Sequence, residues 1–443
     1  MMPRFSRLFH VPFVSACRIV DAGRALLLLV ALGTAASADV VDKDAPPPPG
    51  TLLQELNSGP ALSDAATVLG APMPLSAPVE IPFQIEGGHM LIEASINGGA
   101  KQTFLFDTGG RLVLTPEAAG DLKSLPGRQA MMAGIGPTIT KVSIVTVDRL
   151  TVGSLTLDKQ SAAIAELPNW IVDRGSKPRL AGLIGPELIT RRIVTIDYRK
   201  RMMTLHPSGQ VRPGPNAIVS RLGFSVSPEG LGHPSVRASI GDVEGEMLID
   251  TGATGGVFLN ERFITAHNPF RPGGKTIRFF SPGGVGGLLQ MQAGIGTTFR
   301  LGTAVFNAPL IHGPVSQNRS LRDLNVSGII GAEILSRFVV TLDFPSSRAW
   351  FEPIAGAKLN SVWQSVGVVL SKPDPSHFEV IDVLPGTPAE RAGIQRGDRI
   401  VTYGGQPARN LGLRDLSKFR DKAVSVVLSD QRRHDLSPVQ ILP

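Results

Sequence analysis

Two aspartates stand in settings that could do chemistry. Asp107 follows the apolar run Phe104-Leu105-Phe106, opens Asp107-Thr108-Gly109-Gly110, and is succeeded by Leu112-Val113-Leu114. Two short apolar runs around such a break predict strand, tight turn, strand, with the carboxylate presented at the tip, because glycine supplies backbone conformations that a tight turn demands. A single Asp-Thr-Gly is usually no more than a solvated turn. The second copy, Met247-Leu248-Ile249 leading into Asp250-Thr251-Gly252-Ala253 and then Val257-Phe258-Leu259, changes its meaning. Two carboxylates brought together share one proton, because like charges in close contact do not both ionise easily. One can then act as base toward a water while the other, protonated, donates to a substrate carbonyl. The glycines let backbone N–H groups approach the carboxylates, and the threonine hydroxyls can tie the two turns together.

The elements that must position these turns are themselves repeated. His89-Met-Leu-Ile-Glu-Ala-Ser-Ile96 answers His233-Pro-Ser-Val-Arg-Ala-Ser-Ile240, Gly134-Ile135-Gly136 answers Gly284-Val285-Gly286, and Leu150-Thr-Val-Gly153 answers Phe299-Arg-Leu-Gly302. The closing blocks match best: GLIGPELITRRIVTIDY from Gly182 and GIIGAEILSRFVVTLDF from Gly328. The aspartates are 250 − 107 = 143 residues apart and the closing blocks 328 − 182 = 146 apart. One fold of about 130 residues, the size of a small domain, therefore occurs twice, and a two-fold-related pair would bring equivalent turns together. Each lobe reads as short alternating strands with Gly and Pro punctuation and one short helix near Glu187–Ile189 or Glu333–Leu335, a mainly antiparallel β arrangement. Asp197 and Asp343 match each other but end apolar strands, which predicts a structural role.

Length and composition agree with this division. The chain has 443 residues, 42% apolar and 18% charged, with abundant Gly and Pro. That is too long for one core and favours strands and turns over long helices. The formal charge is +7, of which Arg4, Arg7, Arg18 and Arg24 against Asp21 contribute +3 within the first 38 residues. The remainder is spread along the chain, so neither a nucleic-acid footprint nor a polybasic membrane patch is read from it. The basic lead, the apolar core Ala25 to Leu32 and Ala36-Ser37-Ala38 predict a cleavable signal peptide over residues 1–38; a signal anchor in the inner membrane is the alternative. Cys17 is the one cysteine, so cleavage after Ala38 leaves a chain without thiols, a composition that fits a periplasmic or secreted protein of a bacterial envelope. Residues 39–78, with Pro46 to Pro49, read as a linker or a pro-segment. The lobes are assigned to 79–210 and 211–355.

Beyond Pro353 the pattern changes. Strands are expected at Val366–Leu370, Phe378–Val383, Val424–Leu428 and Val439–Leu442, with a short helix from Pro388, Gly393 as its cap, a Gly397-Asp398 turn and a further helix over Leu413–Phe419. Residues 361–443 thus form a separate module. His-Glu-x-x-His, Gly-x-Ser-x-Gly and Walker patterns are absent from the sequence.

The stretches Phe104 to Thr115 and Met247 to Leu259, with LIGPEL and IIGAEI, resemble the retropepsin-like aspartic peptidases over roughly residues 79 to 355. The resemblance implies a bilobal, mainly β protease hydrolysing peptide bonds, with Asp107 and Asp250 as catalytic pair, Thr108 and Thr251 as an inter-lobe grip, and hairpins at Gly134–Gly136 and Gly284–Gly286 as flaps. It implies no metal and no cofactor, and a monomer that supplies both aspartates itself. Gly110 and Ala253 stand where relatives usually carry a small residue, often Ala, Ser or Thr, so that Gly110 is the looser departure. Neither offers a hydroxyl to its carboxylate, which predicts a working pH nearer mildly acidic or neutral than strongly acidic. LPGTPAERAGIQRGDRIVTYGG and the Val366-Gly367-Val368 strand start resemble a PDZ domain of bacterial secreted proteases. This implies binding of an extended peptide or C-terminus by strand addition beside Val366–Val368. The rival function is a non-catalytic peptide-binding scaffold that kept the fold, and a third makes the PDZ domain the principal part with the lobes as its regulator.

Overall fold

A computed structural model of the chain describes residues 73–123, 129–172, 178–209, 211–226, 232–315, 325–357 and 363–442. The expected signal peptide and most of the 39–78 linker lie outside them. The described chain is built mainly of β-strands, in two similar lobes and a C-terminal domain.

Each lobe is organised around the same three-strand crossing. The strand Gln102–Phe106 runs parallel to Leu180–Ile184 (Leu105 opposite Leu183), and Val113–Leu114, on the far side of the Asp107 turn, runs antiparallel to the same strand. In the second lobe Val243–Ile249 runs parallel to Gly328–Ile330, and Val257–Leu259 antiparallel to it. The apolar-apolar-Gly blocks are therefore the central strands between the two arms of each aspartate turn. Their first glycines have a steric cause: a Cβ at Gly182 would lie 1.9 Å from the Val113 carbonyl oxygen, and one at Gly328 2.1 Å from that of Phe258. Short helical turns then follow at Pro186–Leu188 and Ala332–Leu335, where the sequence predicts them.

The lobes are joined through a shared antiparallel sheet. Ile193–Asp197 pairs with Phe338–Asp343 in a register that sets Thr195 opposite Thr341, its own counterpart in the repeat, and their hydroxyls are 2.9 Å apart. The two-fold axis passes between them. The strand Met202–His206 leads from Ile193–Asp197 back to Val79–Glu86, and Arg348–Pro353 flanks the other side. One apolar core continues beneath this sheet through both lobes, with Tyr198, Leu222, Phe224 and Phe344 among its buried members. Asp197 accepts from the backbone N–H groups of Arg199 (3.0 Å) and Lys200 (3.2 Å), and Asp343 from that of Ser346 (3.0 Å). Both are turn-forming residues, as their strand-end positions predict.

Above each crossing rises a hairpin: Gln129–Ala133 with Ile139–Val152 in the first lobe, Thr276–Pro282 with Leu288–Ile295 in the second. The C-terminal domain has its own core, including Phe378, Ile400, Val426 and Leu428. Its short helix Pro388–Arg391 is capped by the Thr387 side chain, and Gly393 and Gly397 adopt the positive φ their turns require (73° and 92°). The strand Arg433–Leu436 completes its sheet beyond the strands expected from sequence.

This domain touches both lobes. An apolar cluster joins Phe279 and Met291 of the second-lobe hairpin to Trp363, Leu384 and Leu442, the Phe280 N–H donates to Asp382 Oδ2 (2.5 Å), and the Arg396 guanidinium stacks 4.9 Å from the Phe280 ring centre. On the other side Arg414, at the start of the 3-10 helix Arg414–Phe419, is buried against the first-lobe hairpin between Val79–Glu86 and His89–Ile96.

Within the inter-lobe core, Phe338 is fully buried and meets Phe306 and Phe351 edge-on, at 6.0 and 5.8 Å. Phe338→Ala is expected to lower stability by about 3–5 kcal/mol, seen as a fall in the urea midpoint of the lobes followed by tryptophan fluorescence.

Candidate active site

The two aspartate turns meet at the axis and are locked by reciprocal hydrogen bonds. Thr108 Oγ1 donates to the Ile249 carbonyl (2.6 Å) and accepts from the Thr251 N–H (3.0 Å). Thr251 Oγ1 donates to the Phe106 carbonyl (2.9 Å) and accepts from the Thr108 N–H (3.1 Å). Both threonines are completely buried. Each hydroxyl uses its one proton and a lone pair on backbone groups of the opposite lobe, so the four bonds fix the two turns relative to each other.

This lock leaves the glycines no freedom to be anything else. A Cβ on Gly109 would lie 2.6 Å from Asp250 Cγ, and one on Gly252 2.4 Å from Asp107 Cγ. Each turn's glycine is thus pressed against the other turn's carboxylate, which is how the two acids come into hydrogen-bond contact. Gly110 is equally constrained, since a Cβ there would lie 2.7 Å from Asp107 Oδ2. Both aspartates remain partly exposed.

The pair is not symmetric. Asp250 Oδ1 accepts from two backbone N–H groups, Gly252 (2.8 Å) and Ala253 (3.1 Å). Asp107 Oδ1 accepts from Gly109 alone (2.9 Å), because the Gly110 N–H turns to the Asp107 main-chain carbonyl (3.0 Å). Burial, and then the Asp250 charge beside it, push the Asp107 carboxyl well above the usual range. Burial raises Asp250 as well, opposed by its hydrogen bonds from Asp107, Gly252 and Ala253. The donors favour the charged form on Asp250 and leave the shared proton with Asp107.

Behind the Asp107 turn lies a buried polar group that the sequence did not single out as a site. His233 Nδ1 is 3.1 Å from the Thr108 carbonyl, and burial followed by the Arg111 charge lowers its pKa to about 3, so the neutral ring donates there. Arg111 Nη2 donates to the Gly232 carbonyl (3.1 Å), and Glu187 accepts from the Gly185 N–H (2.8 Å) within reach of the Arg111 charge. His89 and His233 both open matched blocks, and that pairing was the available signal. Both sit in strands, as expected; His233 reaches the Asp107 turn, whereas His89 Nδ1 makes no hydrogen bond among the described residues. In the second lobe Thr254 occupies the repeat position of Arg111.

Gly134–Gly136 and Gly284–Gly286 form the hairpin tips, and the tips touch: the Gly136 N–H donates to the Gly283 carbonyl (3.1 Å) and the Thr138 N–H to that of Gly286 (2.7 Å). Trp170 Nε1 adds a bond to the Gly284 carbonyl (2.8 Å). Each tip packs on the opposite lobe. Ile135 packs on the cluster of Leu248, Val326 and Ile329, and Val285 joins the cluster of Leu105, Val113 and Leu183. Val366, Gly367 and Val368 are not brought to the aspartates; they belong to the C-terminal domain, where Gly367 (φ 102°) abuts Thr387 and Val368 begins the strand Val368–Asp374. That strand is at the edge of its sheet, paired only with His377–Val383. Among the described residues, no three His, Cys, Asp or Glu side chains gather as a metal-ligand set.

Because Thr251 Oγ1 serves one donor and one acceptor in a dry site, Thr251→Val strands both partners. A loss of about 2–4 kcal/mol is expected in denaturant unfolding, whereas Thr254→Val, at an exposed position, leaves stability within about 0.5 kcal/mol.

Comparison with known proteins follows this geometry. Residues 92–188 match the aspartyl protease family model and residues 379–421 the PDZ domain model. No curated protein matches the chain in sequence. Among solved structures, the aspartic proteinase from Irpex lacteus is 14% identical, covering 63% of this chain and 98% of its own at a TM-score of 0.37. Basic 7S globulin from soybean is 13% identical, covering 64% and 98% at a TM-score of 0.37. The chain is a mainly β protein in which a retropepsin-like aspartyl protease segment precedes a C-terminal PDZ domain.

Proposed function

We propose that the protein is an aspartic endopeptidase whose catalytic residues are Asp107 and Asp250. The observation that carries this is the contact between the two carboxylates, enforced by the crossed threonine bonds and by two glycines with no room for a side chain. A scaffold that only binds peptides has no need to hold two acids in a buried contact that raises the pKa of both.

In the mechanism, a water at the exposed edge of the pair gives its proton to ionised Asp250 and attacks the scissile carbonyl carbon. Protonated Asp107 donates to the carbonyl oxygen as it gains charge. As the tetrahedral intermediate collapses and the C–N bond breaks, Asp250 gives its proton to the departing amine nitrogen and Asp107 takes one back from a hydroxyl of the intermediate, so both acids recover their starting states. The donor asymmetry supports this assignment, since Asp250 has the two backbone N–H groups that stabilise the charged form. The flaps must part for a substrate to enter, because their tips are hydrogen-bonded to one another. Once the substrate is bound, Ile135 and Val285 present apolar side chains beside the scissile bond.

The PDZ domain supplies a second peptide site. A peptide adding to the free edge of Val368–Asp374 lies beside Val368 and Leu370, with Leu413 and Leu416, at the cap and within the 3-10 helix, also partly buried against the domain core. The predicted leader, Ala25 to Leu32 with Ala36-Ser37-Ala38, supports export and action on periplasmic or secreted proteins, and a chain that provides both aspartates has no need of a second copy.

Asp107→Asn and Asp250→Asn, made separately, are each expected to reduce cleavage of a peptide library at least about 100-fold, read by mass spectrometry. Wild-type rates in either variant refute the mechanism and favour the scaffold. The rate should rise as Asp250 ionises and fall as Asp107 loses its proton. With both acids raised, the two limbs lie above the range of about 3.9 for a free Asp, and an optimum below about pH 3 contradicts the assignment of the shared proton.

A further inference from the structure

The two-fold symmetry of the site also breaks behind the two turns, where the C-terminal domain contacts one of the two equivalent hairpins. Behind the Asp107 turn, the Gly232-His233 pair of the second lobe is tied to the turn by His233 and by Arg111, whose guanidinium reaches the Gly232 carbonyl. The counterpart pair in the first lobe is Gly88-His89. It lies against the Asp250 turn by packing and not by a histidine bond: a Cβ on Gly88 would lie 3.2 Å from the side chain of Thr254, the residue that replaces Arg111. Threonine is too short to make the bond that Arg111 makes. The second lobe therefore has no arginine of its own at this place.

An arginine nevertheless reaches this hairpin, delivered from 160 residues downstream of Thr254 (414 − 254). Arg414 lies over the same hairpin, with its Cα 3.3 Å from where a Cβ on Gly87 would be. Its Nε donates to Glu86 Oε2 (3.3 Å) and its Nη2 to the Pro178 carbonyl (2.6 Å). Its charge, after burial, holds the His89 ring neutral with a pKa lowered to about 4, just as Arg111 acts on His233. Arg414 is only 7% exposed, although it opens a short helix of an appended domain, where arginine normally keeps its head in water. Its Nη1 and the Nδ1 of His89 are both buried without a hydrogen-bond partner in the protein. Burying a guanidinium this far is costly unless the contact has a use.

Resting on the reading of Asp107 and Asp250 as a peptidase pair, we propose that Arg414 is a positioning residue for the Asp250 turn. It acts through the hairpin: from the PDZ domain it ties Glu86 and Gly87 down to the Pro178 carbonyl, and the adjoining Gly88 lies against Thr254 of the turn, so the turn has its full support only when that domain is docked. The second anchor of the domain, on Phe279 and Phe280 of the flap hairpin, keeps Arg414 in place from the other lobe.

The test uses the full chain with Arg414→Ala and Arg414→Lys. Peptide cleavage is expected to lose about tenfold or more in kcat with KM within about twofold in Arg414→Ala, since a small misplacement of a catalytic group is felt in the chemical step. Arg414→Lys, which keeps the charge and one donor, should recover part of the loss. A kcat within about twofold of wild type, or an effect confined to KM, overturns the proposal. A second readout does not depend on catalysis: the His89 ring, assigned through His89→Gln, is titrated by NMR. Its midpoint should rise from about 4 when the Arg414 charge is removed and stay low in Arg414→Lys; an unchanged midpoint in Arg414→Ala overturns the docking itself. A wild-type protein that cleaves nothing would refute the peptidase reading, and the titration then decides the position of Arg414 by itself.

Discussion

The four hydrogen bonds between Thr108 and Thr251 and the backbones of the opposite lobes are the constraint on which the rest of the site depends. They bridge residues 141 to 145 apart in sequence and bury both hydroxyls completely. With the turns held in this way, a glycine after each threonine is the only residue that lets the two carboxylates touch. The repulsion that results is lessened by sharing a proton, and the unequal supply of backbone N–H groups decides which acid keeps it. A defect in the threonine lock would therefore be felt as a change in acid–base chemistry, because the distance between two like charges sets their coupling.

The lock is supported from below and closed from above by the same symmetry. Below, Thr195 opposes Thr341 in the strand pair that marks the axis, and a continuous apolar core prevents the lobes from rotating about it. Above, each flap tip lies on the floor of the other lobe, so that Ile135 and Val285 cover apolar residues that flank the aspartates. Closing the site in this manner keeps the dielectric low around the acids. Around this symmetric frame the asymmetric parts do the tuning: Gly110 against Ala253, Arg111 against Thr254, and a C-terminal domain that contacts the first-lobe hairpin and the second-lobe flap at once.

Much of this was legible in the sequence because it is local or repeated. Asp-Thr-Gly between apolar runs specifies a turn with a carboxylate at its tip, and the matched blocks specify two copies of one lobe. The pairing of Thr195 with Thr341 follows the same offset of 146 that relates the closing blocks. Strand ends and the helix starting at Pro388 also fell close to where Gly, Pro and apolar alternation put them. Gly182 and Gly328 show the limit: each stands in an apolar run that reads as strand, while the reason for glycine is a carbonyl of another strand about 2 Å from where a Cβ would be.

The sequence by itself determined that two equivalent acidic turns exist, that their neighbours are small, and that a distinct domain follows. Only the tertiary structure decided how the turns are used. That Asp250 collects two N–H donors and Asp107 one depends on a rotation of the Gly110 peptide that residue types do not specify. That His233 supports the Asp107 turn, and that Arg414 reaches the hairpin behind the Asp250 turn, depends on contacts spanning 125 and 328 residues. Such contacts leave no periodicity or spacing in the chain, because they arise when separately folded surfaces are brought into register by the core beneath them.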